Sequence, residues 1–195
     1  MGAPRRPREV DARRSALRAS AAIGLAVGAP MLFTGCAPAP VAPAGFASMG
    51  DARRTLEALK AQPVRMVSGW DLAHVLHHVA QSAAYSLQGF PLLKPAWFRA
   101  TVGPAAFAVF QARSRMSHGL DEPIPGATPI ADGQPLPAAV DHLVAAFNAF
   151  ERHTGPLAPH FAYGPLDKPA YARAHLMHLA NHWQQVNQDP PKETA

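Results

Sequence analysis

The sequence has one cysteine, Cys36, in 195 residues, so no disulfide can form within a chain. It lacks any cluster of Lys and Arg with interleaved aromatics, the pattern that grips a phosphate backbone. The formal charge of +5 does not supply one. Six arginines (Arg5, Arg6, Arg8, Arg13, Arg14, Arg18) against Glu9 and Asp11 put a net +4 into the first 35 residues, and the remaining 12 basic and 11 acidic residues net only +1. Nucleic acid is therefore excluded as a partner. No stretch alternates with period two for long enough to argue a sheet, and there is no internal repeat. The apolar run from Ala19 to Phe33 is too short, and too rich in Ala and Gly, for a membrane span. No carboxylate is obviously placed as a general base.

What is abundant is proline, 21 residues, concentrated between stretches with helical patterning. That suits a helical bundle with long, stiff connections. The start of the chain reads as an export signal over residues 1–35: a charged segment, the apolar run, then small residues. Arg13-Arg14 directly before the run resembles a twin-arginine signal, used by bacteria to export folded proteins. Thr34-Gly35-Cys36 resembles a lipobox, in which Cys36 would be lipidated, although Phe33 stands where Leu is usual. The alternative is a plain signal peptide with an incidental cysteine. Residues 36–47 form a Pro/Ala linker, and residues 48–190 the helical domain. The expected location is outside the cytoplasm, periplasmic or as a membrane-anchored lipoprotein, with membrane contact only through the leader or lipid.

Within the domain, Ser48 to Gln62 reads as a helix with Ser48 and Asp51 as a capping pair, stopped by Pro63. Ser68 to Gln88 reads as the second, with Ser68 and Asp71 as cap, Leu72, Val75, Leu76, Val79 and Ala83 as its apolar stripe, and Gly89 and Pro91 as its end. Asp71 is thereby committed to capping. Short helical pieces are expected over 95–100 and 104–115, punctuated by Gly103-Pro104, and 120–136 must be loop. Pro137 to His153 is the third main helix, with Val140, Leu143, Val144, Phe147 and Phe150 at helical spacing. After a rigid loop over 155–168, a last helix, capped by Asp167 with Pro169 in its first turn, carries Tyr171 to Val186.

Six of the ten histidines fall in two of these helices: His74, His77 and His78, and His175, His178 and His182. Spacings of three and four share a helix face. A pair at i, i+4 can reach one metal ion, and His178/His182 and His74/His78 are both such pairs. Zinc, nickel and ferrous iron all accept neutral imidazole. A third ligand from a neighbouring helix would leave coordination positions open. The competing reading is that apolar-face histidines are core residues bonded to carbonyls. Not all six can be ligands.

Trp70 followed eight residues later by His78, with His178-x-x-x-His182 and then Gln185, resembles the DinB/YfiT-like superfamily. Leu76 to Ser82, Gly89-Phe-Pro, Glu122 to Gly126, Pro159 to Gly164 and His175 to His182 are similar to an uncharacterised branch of it. The resemblance spans roughly residues 49 to 187. It implies an all-α, DinB-like four-helix bundle with short extra helices between helices 2 and 3. It implies a divalent metal (Zn, Ni or Fe) held by His78, His178 and His182. Asn181 stands where many relatives have a further histidine. His74, His160, Tyr163 and Asn181 are candidates for lining the site, with loop packing as the other reading of Tyr163.

The resemblance implies an uncharacterised exported protein that is a metal-dependent transferase or hydrolase of a small molecule. The alternatives are a non-catalytic metal or ligand binder, and a bundle whose histidines are relics and which acts by association, for which a homodimer is compatible.

Overall fold

The computed structural model describes residues 45–61, 64–67 and 69–188; the leader, Cys36 and most of the linker lie outside these. Six α-helices carry the described part: α1 (Met49–Ala58), α2 (Leu72–Gln88), α3 (Ala96–Ala100), α4 (Val102–Arg113), α5 (Leu136–Arg152) and α6 (Lys168–Trp183). No helix among the described residues is long and apolar enough to cross a membrane.

The helix starts follow from side-chain caps. Ser48 accepts from the Asp51 N–H at 3.0 Å, and Asp51 accepts from the Ala47 N–H at 3.0 Å. Asp167 caps α6 through the Ala170 N–H at 2.8 Å, with Pro169 in the first turn. For α2 the cap is Asp71 itself, accepting from the His74 N–H at 2.7 Å. The helix therefore starts three residues later than Ser68. Gly89, at φ 100, ends it.

The apolar stripes meet where their period demands. α2 packs along α5 and against α6, and α1 also touches α5 and α6. Leu56, Leu76, Val79, Leu143, Phe147, Phe150 and Leu179 are buried in one cluster. α3 and α4 occupy the interval between α2 and α5, and Phe107 of α4 joins Met116, Ala174 and Met177 in a second, smaller cluster. Residues 114–135 form neither helix nor strand.

Four sequence expectations need correcting. The first helix stops at Ala58 and tightens into a 3-10 turn over Leu59–Ala61. Gly103-Pro104 lies inside the first turn of α4, where a proline costs no hydrogen bond. The second helix is capped by Asp71 and begins at Leu72, later than the expected start at Ser68. The last helix ends at Trp183, and Val186 belongs to a strand. That strand, β2 (Val186–Gln188), pairs antiparallel with β1 (Val64–Met66), with Met66 opposite Val186. Three-residue strands are too short to show a period, so this ribbon leaves no periodic signal.

Candidate metal centre and adjoining cavity

The α2 stripe that buries Leu76 and Val79 also turns His78 inward, towards α6. There, four residues apart on the buried face, stand His178 and His182. Nε2 of His178 lies 3.1 Å from Nε2 of His78 and 3.2 Å from Nε2 of His182. One nitrogen from each ring lies within 4.8 Å of the other two, an arrangement that could hold a metal ion. Trp70 covers the group, its ring 5.2 Å from that of His78 and 6.4 Å from that of His182. The ribbon fixes the C-terminal side: the Val67 N–H donates to the Gln185 carbonyl at 2.8 Å, just beyond His182.

The electrostatics favour lone pairs over protons. Burial lowers the His78 pKa to about 4 and that of His182 to about 3, and holds His178 well below the usual imidazole range. All three rings are therefore neutral at pH 7. Neutral rings cannot satisfy one another, because the single Nε2 of His178 faces two other Nε2 atoms and carries either one hydrogen or one lone pair. A cation at the centre removes that conflict, so the donor set fits a divalent ion. With metal–nitrogen bonds of about 2.1 Å, separations of this size correspond to N–metal–N angles of about 95–100°. Angles of that size belong to neighbouring ligands on one ion, and three histidines leave further positions for other ligands.

Beside the group lies a cavity of about 260 Å³. His78 and His178 form part of its wall; Met116, Ile124, Ala162 and Ala174 supply apolar lining, and His118 and Glu122 supply polar groups. His118 comes from the connection after α4, and its ring lies 4.9 Å from that of His178 and 5.2 Å from that of His182. Its Nδ1 is 2.7 Å from the Gly119 carbonyl, to which it must donate. That leaves the Nε2 lone pair of the neutral ring free. Glu122 folds over Gly119: a Cβ on that glycine would fall 2.6 Å from the Glu122 carboxyl carbon.

The far wall is the turn 160–164, closed by a bridge between His160 and Gly164. Ring Nδ1 of His160 accepts from the Ala162 and Tyr163 N–H groups at 3.2 and 3.1 Å, so its hydrogen sits on Nε2. Tyr163 stacks on His160 at 4.2 Å, and burial pushes its phenol up to about 12. Two glycines let this turn seat against α3 and α4. A Cβ on Gly103 would run into the Ala162 carbonyl oxygen, and one on Gly164, at φ 77, would meet the Arg99 carbonyl at 2.6 Å.

A family model matches residues 44–189, described as a protein of unknown function, DUF1569. The chain belongs to the DUF1569 family. No curated protein and no solved structure matches it.

In this DUF1569 member the structure brings His78, His178 and His182 together and sets His160 and Tyr163 on the cavity wall. It places His74 and Asn181 elsewhere. The His74 ring stacks on Trp70 at 4.4 Å and its Nδ1 meets Asp132 at 3.2 Å, outside the cavity lining. Its spacing from His78 suits a shared ligand pair, but Trp70 and Asp132 engage the ring instead. Asn181 is buried behind the wall, where its amide donates to the His118 carbonyl at 3.5 Å. His175 lies in the core between Phe150 and Tyr171, with Nε2 3.3 Å from the Ser86 hydroxyl.

Sequence reasoning missed His118, Glu122, Lys94 and Ser82, all on the cavity wall. Ser82 sits four residues after His78, on the same helix face, and that spacing could have found it. His118 is a lone histidine in a loop and gave no such signal.

Proposed function

We propose that this protein is an exported, DinB-like metalloenzyme in which α1, α2, α5 and α6 make a four-helix bundle. In this reading His78, His178 and His182 hold one divalent ion (Zn, Ni or Fe), and the chain acts as a transferase or hydrolase on a small molecule. One observation carries the choice of enzyme over passive binder: two of the three imidazoles open onto a cavity of about 260 Å³ instead of ending in solid core. A store for metal needs no such chamber.

A divalent ion with an open position supplies Lewis acidity, lowering the pKa of a water or thiol towards neutrality. The chain supplies the rest. The free Nε2 of His118 takes a proton from the attacking group, and Glu122, the one carboxylate on the cavity wall, lies beside it to hold the resulting charge. Tyr163, kept protonated by burial, offers a hydrogen bond to an oxygen that gains negative charge. Met116, Ile124, Ala162 and Ala174 keep the chamber dry, which strengthens each of these interactions. In the same proposal the leader carries the folded protein out of the cytoplasm, and Cys36 anchors it by a lipid.

Elemental analysis of the purified protein tests the site, with the His178→Ala/His182→Ala double variant as control. One ion per wild-type chain and none in the double variant is the expected result; equally little metal in both ends the proposal. Assaying loaded protein against thiols, electrophiles and esters, with and without chelator, separates enzyme from binder.

A further inference from the structure

Residue 77 is one step from residue 78, so the helix rotates it by about 100° away from the triad. It faces a different helix. Nδ1 of His77 lies 2.7 Å from Nδ1 of His142 on α5, with the rings tilted by 47°. The two histidines share a surface recess with Gln81, Gln134, Ile130 and Ala131. His142 is exposed, so the recess is open to solutes. The backbones beneath are held by the α2–α5 packing, in which Val79, Leu143 and Phe147 are buried. Two nitrogen donors thus sit side by side at the surface on packed helices.

We propose that His77 and His142 form a second metal site, separate from the triad, that takes Cu(II) first and Ni(II) next. The ion binds both Nδ1 atoms, and oxygen ligands complete the coordination. Gln81 is suited to supply one, because its amide nitrogen is already donated to the Thr128 carbonyl at 2.9 Å and its carbonyl oxygen is the donor atom left over. His74 is not a ligand, since its Nδ1 is paired with Asp132.

The separation bears on the choice of ion. With metal–nitrogen bonds of about 2.0–2.1 Å, two cis ligands of a tetragonal or octahedral ion sit about 2.9 Å apart, and two ligands of a tetrahedral ion about 3.4 Å apart. The pair opens by about 0.2 Å for the first and about 0.7 Å for the second. Tetragonal nitrogen and oxygen sets select Cu(II) and Ni(II) over Zn(II), and copper binds most tightly of the divalent series. The proton balance also closes. Without metal, one of the two facing nitrogens carries a hydrogen. On binding, that hydrogen moves to Nε2 of the same ring, and both rings stay neutral. If that ring is His77, its Nε2 is buried without a hydrogen-bond partner whichever tautomer is present, so the shift creates no new unsatisfied atom.

The test is titration of the full chain with Cu(II) at pH 7.5, followed by calorimetry and electron paramagnetic resonance. Wild type is compared with His142→Ala, His142→Gln and the His178→Ala/His182→Ala variant. His142 is exposed, so its replacement leaves the fold intact, checked by circular dichroism. Wild type should take up one Cu(II) more than either His142 variant, with a tetragonal signal showing two nitrogen ligands. The triad variant should keep that ion and signal. Equal stoichiometry and equal spectra for wild type and the His142 variants overturn the site. So does a signal lost only with the triad variant. Failure of the triad to bind metal leaves this prediction untouched, so the two readings fall separately.

Discussion

Acid should unfold this protein at a pH where most proteins of its size are stable, and the cause is its buried histidines. Five of them are held down: His78 to about 4, His160, His175 and His182 to about 3, and His178 well below the ordinary value, each chiefly by burial. In the unfolded chain each returns to about 6.5. The unfolded state therefore binds more protons, and stability falls with pH. The full contribution is present above about 6.5 and is lost progressively down to the folded values. At pH 5 each of the five costs about 2 kcal/mol, and His160 and His175 alone, outside the triad, cost about 4 kcal/mol. All five together cost about 10 kcal/mol, comparable to the whole stability of an ordinary domain. Urea denaturation of metal-free protein, followed by far-ultraviolet circular dichroism at pH 7.5, 6 and 5, measures this directly. The midpoint should fall steeply, with several protons taken up per molecule on unfolding near pH 5. A stability that changes by less than about 2 kcal/mol between pH 7.5 and 5 would refute the reasoning, because the rings would then be protonated in the fold or exposed.

Three further expectations follow from local geometry. Gly103→Ala should destabilise by about 1–3 kcal/mol in thermal melts, since the added methyl collides with the Ala162 carbonyl and forces the 160–164 turn off α4. Asp71→Ala should cost about 1 kcal/mol through the lost α2 cap, with Asp71→Ser recovering most of it. Loading Co(II) or Ni(II) at the triad should quench part of the tryptophan fluorescence, because the Trp70 ring lies 5.2 Å from that of His78 and 6.4 Å from that of His182. Trp70→Phe should remove that change, and an unchanged quench in the variant would place the ion elsewhere.

How much of this was legible in the sequence depended on the range of the interaction. α2 and α5 were readable because Leu72, Val75, Leu76 and Val79, and Val140, Leu143, Phe147 and Phe150, repeat at the helical period and each set is buried on one face. Caps such as Ser48, Asp71 and Asp167 act within three residues and were equally visible, although Ser68 was a false start for α2. The ribbon joins residues more than a hundred positions apart through backbone groups, and backbone groups leave no side-chain signature. His118 reaches the triad because the path of 114–135 carries it there, and that path is set by packing, not by periodicity. His74 shows the opposite failure: its spacing from His78 is right for a shared ligand pair, but Trp70 and Asp132 engage it first.

The ribbon also sets a clock on assembly. Its second strand and the two histidines of α6 are the last described parts of the chain to leave the ribosome. Until residue 188 has emerged, the strand before α2 has no partner, and α2 faces solvent along the flank that α6 will cover. A polypeptide stalled before α6 exposes apolar surface and carries only His78 of the three grouped imidazoles. The exposed apolar flank of α2 alone marks such a fragment as incomplete.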